Sequence, residues 1–284
     1  MISGLVRLAR PRQWVKNLLV AAAPLAAGRL LEPQVALHTL LTFVAFCLAA
    51  SSCYALNDVM DAAEDARHPT KRFRPVASGQ VGRTPALVMS AVLGVLAIAV
   101  ADGPLRWVVL AYIVVTLSYS LWLKHVPVIE LGLLSAGFLL RAVAGGPGAD
   151  IPISQWFLIV TAFGSMFMGV GKRLSELTRT LEEGSTPRAS VAAYPLTYLQ
   201  MMATMCLGVT ATGYCLWAFQ VARENAGSVW TQLSIVPFVL ALMTYALDVD
   251  RGRAEEPENV VLGDRTLQLL GLLWLVLFAI GVTL

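Results

Sequence analysis

Asn57-Asp58-Val59-Met60-Asp61-Ala62-Ala63-Glu64-Asp65 closes an apolar segment and is followed at once by Arg67, Lys71, Arg72 and Arg74. Helical continuation from upstream puts Asp58, Asp61 and Asp65 at i, i+3 and i+7, on one face, with Asn57 and Glu64 beside them. Carboxylates that close repel unless a positive charge lies between them. The economical candidate is Mg2+, a hard ion that takes one or two carboxylates, keeps several waters and shares the oxygens of a substrate phosphate. The basic run downstream would hold the rest of the phosphate charge. Ligand spacing and the missing central Gly argue against an EF-hand; the bland alternative is a solvated loop of mixed charge.

Outward from this stretch, the chain is too apolar for a soluble domain. Of 284 residues, 57% are hydrophobic and 14% charged, a composition that reads as a polytopic membrane protein. About 20 apolar residues cross a bilayer, and nine segments qualify: 17–32, 35–56, 86–102, 105–123, 127–145, 154–172, 197–221, 230–247 and 266–284. The expected fold class is all-α, one transmembrane domain over 1–284 with nine helices around a cytoplasm-facing polar cavity. Residues 1–16 form a basic interfacial arm and 57–85 a cytoplasmic active-site loop.

Charge orients the chain. Alternating the spans from a cytoplasmic N-terminus collects Arg7, Arg10, Arg12 and Lys16 in the arm and Arg67, Lys71, Arg72, Arg74 and Arg83 in the loop after the second span. Lys124, Lys172, Arg173, Arg179, Arg188, Arg251, Arg253 and Arg265 fall in later loops of the same side. Of the 21 Lys and Arg, only Arg29, Arg106, Arg141 and Arg223 lie elsewhere. The positive-inside rule then puts the N-terminus and the acidic stretch on the cytoplasmic side of a plasma membrane. The bilayer is the expected partner surface, and no nucleic-acid partner is expected.

In the arm, Ile2, Leu5, Val6 and Leu8 read as a short interfacial helix ended near Pro11, with Trp14 at headgroup depth. Arg7 and Arg10 read as ordinary anchoring. Lys16 and Asn17 would enter the first span, where a phosphate in an internal cavity supplies the partner they need. The prolines of His68-Pro69-Thr70-Lys71-Arg72-Phe73-Arg74-Pro75 favour a compact loop over the acidic face, its cations closing on a ligand.

Tyr119 and Lys124 flank the end of the fourth span. Arg141 and the Gly145-Gly146-Pro147-Gly148 turn follow the fifth span on the outer side. Lys172, Arg173 and Glu176 form a second polar cluster at the end of the sixth, with an i,i+4 pair available to Lys172 and Glu176. Tyr245-Ala246-Leu247-Asp248-Val249-Asp250 echoes Tyr54-Ala55-Leu56-Asn57-Asp58-Val59. Cys47, Cys53, Cys206 and Cys215 show no CxxC and read as free, structural thiols.

Nine spans, with Asn-Asp-x-x-Asp-x-x-x-Asp (Asn57, Asp58, Asp61, Asp65) after the second, resemble the UbiA superfamily of intramembrane prenyltransferases over essentially the whole chain. The resemblance implies a UbiA-like helical domain with Mg2+ held between acidic motifs and a diphosphate. Asp58 and Asp61 are then the expected catalytic residues, and Asn57, Asp58, Asp61 and Asp65 the metal ligands. Aromatic prenyltransferases of that superfamily usually carry a second Asp-rich motif after the sixth span, where this chain has Lys172-Arg173-Leu174-Ser175-Glu176.

From Arg10-Pro11-Arg12-Gln13-Trp14-Val15-Lys16-Asn17, through Asn57 to Gly79, to Gly171-Lys172-Arg173, the chain is similar to the branch that makes decaprenylphosphoryl-5-phosphoribose. That resemblance implies transfer of 5-phosphoribose from phosphoribosyl diphosphate (PRPP) to a polyprenyl phosphate, toward arabinan cell-wall precursors. PRPP carries a diphosphate and a separate 5-phosphate and so calls for cations beyond the metal. Lys16, Asn17, Lys71, Arg72, Arg74, Tyr119, Lys124, Lys172, Arg173 and Glu176 are the expected substrate-binding residues.

Two alternatives stay open: a Mg-dependent prenyltransferase joining a polyprenyl diphosphate to an aromatic acceptor, and a transporter or anion-binding membrane protein. Mid-span charges, common in transport paths, are nearly absent. Small residues on several spans permit self-association, which leaves a homo-oligomer open.

Overall fold

The computed structural model describes residues 2–184, 189–224 and 229–283; Arg188, placed above in a cytoplasmic loop, lies outside them. Every described element is helical. In order these are α1 (Ile2–Ala9), a 3-10 helix (Pro11–Ala21), α2 (Ala22–Ala26), α3 (Pro33–Met60), α4 (Ala62–Asp65), a 3-10 turn (Lys71–Phe73), α5 (Arg83–Val100) and α6 (Leu105–Leu121). A 3-10 turn (Leu123–His125) leads to α7 (Ile129–Ala149), α8 (Gln155–Glu182), α9 (Ala189–Ala192), α10 (Leu196–Glu224), α11 (Trp230–Leu233), α12 (Ile235–Asp250), α13 (Pro257–Gly263) and α14 (Arg265–Thr283).

The all-α class is the one expected. Among the described residues seven segments are long and apolar enough to cross a membrane: α3, α5, α7, α8, α10, Trp230–Asp250 and α14. The apolar α6 is slightly shorter. The expected first span, 17–32, is broken into the end of the 3-10 helix, the five-residue α2 and a turn at Gly28, whose φ is +67°. Local chemistry explains the break. Pro11 disfavours the α region for the residue before it, and Arg10 takes φ 52°, ending α1. Pro24 then interrupts the backbone ladder of α2.

The chain groups into two compact units. One comprises Met1–Pro24, Leu30–Leu121 and Leu140–Ile151; the other comprises Leu25–Arg29, Trp122–Leu139 and Pro152–Leu284. In the first, α3 is central, and its buried Ala45, Ala49, Ala50 and Ala55 permit close approach of neighbouring helices. Ser52 and Ser90 lock α3 to α5: each hydroxyl donates to the other's carbonyl, at 2.7 and 2.9 Å. Leu8 of α1 packs among Ala55, Ala62, Val76, Val81 and Ala86. The amphipathic arm therefore lies on protein through that face.

In the second unit Phe167, Val170, Leu174 and Leu177 of α8 form a core with Leu199, Cys206, Tyr245 and Val249. Tyr214, Trp217, Phe238, Trp274 and Phe278 make a separate aromatic cluster. Large apolar side chains also point outward, among them Val88, Val92 and Val95 on α5 and Leu269, Leu272 and Leu273 on α14. Such faces suit contact with lipid. The four cysteines are free.

Two boundaries differ from the sequence reading. Gly145-Gly146-Pro147-Gly148 is not a turn, because α7 runs through it to Ala149. Likewise α8 continues past 172 to Glu182, so Lys172, Arg173 and Glu176 stand on a helix. Apolar counting stops at the first charges, whereas the backbone ladder does not.

Gly145 and Gly148 serve close packing. A β-carbon at Gly145 would collide with the Val20 carbonyl oxygen and lie 2.7 Å from Pro24 Cδ. Gly145→Ala is expected to destabilise by roughly 1–3 kcal/mol, as overpacking does. Gly132 of the same helix has open space around it. Thermal unfolding in detergent should show a lowered midpoint for Gly145→Ala and an unchanged one for Gly132→Ala.

Candidate functional site

The last turn of α3 delivers Asn57 and Asp58. The helix breaks at Asp61, with φ −84° and ψ 0°, and resumes for one turn as α4. Backbone bonds still bridge the break: the Asp61 amide donates to Asn57 O at 2.9 Å and the Asp65 amide to Asp61 O at 2.8 Å. The helical register is therefore nearly preserved, and Asp58 and Asp65 meet the same cation. Arg74 Nη1 lies 2.6 Å from Asp65 Oδ2 and 3.8 Å from Asp58 Oδ1. The two carboxylates are 1% and 2% exposed, so their charge is shielded by partners rather than by water.

Arg74 reaches them because its loop folds back, with Val81 N donating to Pro75 O at 2.9 Å. Arg7 braces that loop from α1, donating to Gln80 Oε1 and Phe73 O at 3.2 and 3.3 Å. A second cation comes from the arm itself: Arg10 Nη2 donates to Asp58 Oδ1. The sequence points to Arg10 as an anchor, and its membership of this cluster corrects that expectation. No local signal revealed it, since the two residues are 48 positions apart.

Two oxygens remain. Asn57 Oδ1 and Asp58 Oδ2 are buried and accept no hydrogen bond. An unsatisfied buried acceptor costs about 1–3 kcal/mol, so two on consecutive residues call for a ligand, and their hard oxygen chemistry fits Mg2+. Among the described residues no three His, Cys, Asp or Glu side chains converge into a complete metal centre. Asn57 and Asp58 would hold Mg2+ first, and Asp65 once Arg74 gives way.

The other expected residues distribute as follows. Asp61 is half-buried at the helix break and Glu64 is exposed. Lys71 is half-buried, while Arg72 is exposed with its guanidinium 4.9 Å from the centroid of the Phe73 ring. Lys16 is half-buried on the 3-10 helix. Asn17 is fully buried: its Oδ1 accepts from Arg141 Nε at 2.7 Å and its Nδ2 donates to Cys47 Sγ at 3.2 Å. Arg141 also donates to the Tyr112 hydroxyl at 2.7 Å and lies 4.7 Å from the centroid of its ring.

Arg141 is therefore a charge within a span, where such charges were expected to be nearly absent, and does not follow the helix as a loop residue. It stands inside α7 and is 5% exposed. A cation within the apolar run 127–145 was the available signal, because an intramembrane charge needs partners. Tyr119 and Lys124 are both half-buried, with α6 ending at Leu121 between them.

In the second unit Arg173 is gripped by two carboxylates. Its Nε and Nη2 donate to Glu130 Oε1 and Oε2 at 2.9 and 2.7 Å, a bidentate pair, and its Nη1 donates to Glu176 Oε2 at 2.9 Å. All three residues are buried. Glu130, in the first turn of α7, was missed by the sequence reading, although a carboxylate inside an apolar run was visible. Two residues earlier Val128 has φ 67°, a strained conformation for a β-branched residue, and its amide donates to the Tyr194 hydroxyl at 2.7 Å. Burial pushes the Tyr194 phenol above its ordinary value, against the pull of the Val128 bond. Lys172 is half-buried beside the triad. The echoing stretch ends α12 with Asp248 buried, 3.7 Å from Arg253 Nη1.

Comparison with known proteins adds four findings. The UbiA prenyltransferase family matches residues 18–270. Decaprenyl-phosphate phosphoribosyltransferase of Mycolicibacterium smegmatis is 44% identical, covering 97% of this chain and 91% of its own. The enzyme of the same name from Mycobacterium tuberculosis is also 44% identical, covering 97% and 93%. A solved UbiA homolog from Archaeoglobus fulgidus, bound to GPP and Mg2+, superposes with a TM-score of 0.73 over 99% of both chains at 15% identity, a likeness of fold.

Removing one member of a buried ion pair strands its partner, a loss of roughly 3–5 kcal/mol. Glu130→Ala should therefore lower the unfolding midpoint of the detergent-solubilised protein by several degrees. A variant that melts with the wild type would show that Glu176 alone suffices for Arg173.

Proposed function

The chain belongs to the UbiA prenyltransferase family, and from that membership we propose that it transfers the 5-phosphoribosyl group of PRPP to a polyprenyl phosphate such as decaprenyl phosphate, releasing diphosphate. The relatives of 44% identity are named for that activity. The observation that carries the site assignment is the pair of buried, unsatisfied oxygens of Asn57 and Asp58, set among cations suited to phosphate.

The acceptor phosphate is anionic near neutral pH and needs no general base. One of its oxygens bonds to C1 of the ribose as the bond from C1 to the diphosphate oxygen breaks, and the electron pair leaves with the diphosphate. Asn57 and Asp58, with Asp61 and Asp65 beside them, would hold Mg2+; the chemistry it supplies when bound is neutralisation of the charge growing on the departing diphosphate. Arg74, Lys71, Arg72 and Lys16 add donors for the substrate's phosphates. Catalysis rests on positioning and on charge stabilisation of an oxocarbenium-like state.

In this reading Tyr119, Lys124 and Lys172 remain substrate residues. Asn17, Arg173 and Glu176 are assigned instead to structure, because the bonds described above engage their side chains. The protein is a multi-pass membrane protein, and the positive-inside pattern supports a cytoplasmic N-terminus and site, where the charged donor is in solution.

The test uses purified protein in detergent with Mg2+, offered PRPP and decaprenyl phosphate in one tube, and a polyprenyl diphosphate and 4-hydroxybenzoate in another. Lipid-linked phosphoribose and diphosphate are expected in the first alone, and chelation with EDTA should stop the reaction. Asp58→Ala should lower kcat by about 10²–10³-fold, the scale of losing a charge-stabilising group, with membrane insertion retained. A prenylated aromatic in the second tube and nothing in the first would overturn the reading.

A further inference from the structure

Several features of Arg10 are unexplained by membrane anchoring. It adopts a left-handed backbone, φ 52°, which residues with a β-carbon rarely do. One residue of α3 pins it from both sides: Ser51 Oγ donates to the carbonyl of Ala9 at 2.9 Å and accepts from Trp14 Nε1 at 3.1 Å. Its guanidinium lies 5.0 Å from the centroid of the Tyr54 ring and bonds Asp58 Oδ1. Ser51, Tyr54 and Asp58 stand at i, i+3 and i+7 on α3 and share one face. The arm is thus laid along that face with a single result, a guanidinium on the carboxylate whose other oxygen is unsatisfied.

Resting on the reading of Asp58 as a metal carboxylate, we infer that Arg10 is a resident counterion that competes with the metal and then serves as a binding residue for the diphosphate. With the site empty, Arg10 and Arg74 neutralise Asp58 and Asp65. A divalent ion arriving alone at Asp58 meets a guanidinium already there, and like charges repel. A divalent ion arriving with a diphosphate brings the anion that the displaced guanidinium can take. Arg10 is suited to that exchange, being 29% exposed against 1% for Asp58, with a planar fork of donors that matches phosphate oxygens.

The inference sets two effects of opposite sign. Arg10→Ala should bind Mn2+ alone more tightly, by about tenfold, within the usual range of coupling between two sites. The same variant should raise the KM for PRPP by a similar factor. Arg10→Lys, which keeps the charge, should stay near wild type for the metal. A role in folding alone would weaken both.

The experiment follows the electron spin resonance signal of free Mn2+ during titration of wild type, Arg10→Ala, Arg10→Lys, Arg10→Gln and Asp58→Asn, with PRPP kinetics measured alongside. Arg10→Gln keeps length and hydrogen bonding without charge, and carries the test should Arg10→Ala misfold. Tighter Mn2+ binding and a higher PRPP KM in the neutral variants support the exchange, including the case in which only they bind the ion measurably. Metal binding lost in Asp58→Asn but unchanged or weakened in the neutral Arg10 variants overturns the inference and leaves the metal site standing. No binding of Mn2+ alone by any variant likewise overturns the inference, whereas equal binding by wild type and Asp58→Asn overturns the reading of the site itself.

Discussion

A carboxylate at 1% exposure near the end of a membrane-spanning helix is the constraint on which the first unit depends. Even after relaxation, burying an ion costs several kcal/mol unless opposite charge and hydrogen bonds return most of it. Asp58 recruits that charge from both directions of the chain, Arg10 from before α3 and Arg74 from after it. Much of the surrounding architecture follows. The arm must lie on α3, so Arg10 turns left-handed and Leu8 is buried; the loop must fold back, so its prolines and the Val81–Pro75 bond close it.

The same constraint meets different solutions elsewhere. Arg141 bonds an amide oxygen and a phenol and lies against that phenol's ring, contacts that fix its direction. Arg173 is held by two carboxylates, Glu130 and Glu176. Phosphate would have to compete with both Glu130 and Glu176 for that guanidinium. The Asp58 cluster differs from both in leaving two acceptor oxygens unsatisfied. Complete satisfaction suits a structural role; incomplete satisfaction at a polar helix end suits a ligand.

What the sequence showed and what it hid divide along sequence distance. The i, i+3, i+7 spacing placed Asp58 and Asp65 on one face because that depends only on helical period, and Arg74 was visible because it lies nine residues from Asp65. The helical class, the arm ending near Pro11 and the free cysteines were legible for the same local reasons. Arg10 on Asp58, Arg141 on Asn17 and Glu130 on Arg173 join residues 43 to 124 positions apart, and no periodicity carries that information. Segment ends misled in a consistent way. Charges at 172 and glycines at 145 end an apolar count, yet a charge with a buried partner and a glycine facing a neighbouring carbonyl both belong inside a helix.

Charge balance would give the proposed site its selectivity. Without ligand, the guanidiniums of Arg10 and Arg74 stand against the carboxylates of Asp58 and Asp65, so the buried core of the cluster is near neutral. Divalent metal alone would make it strongly positive, and a free diphosphate would bring several negative charges toward buried carboxylates; either is costly where water is scarce. The two together nearly cancel. A site balanced in this way favours a donor that presents metal and diphosphate as one unit over a simple phosphate, which follows from low-dielectric electrostatics and needs no shape recognition. In the proposed reaction, charge growing on the diphosphate as its bond to the ribose breaks would fall where counter-charge already stands, so little reorganisation would accompany the step.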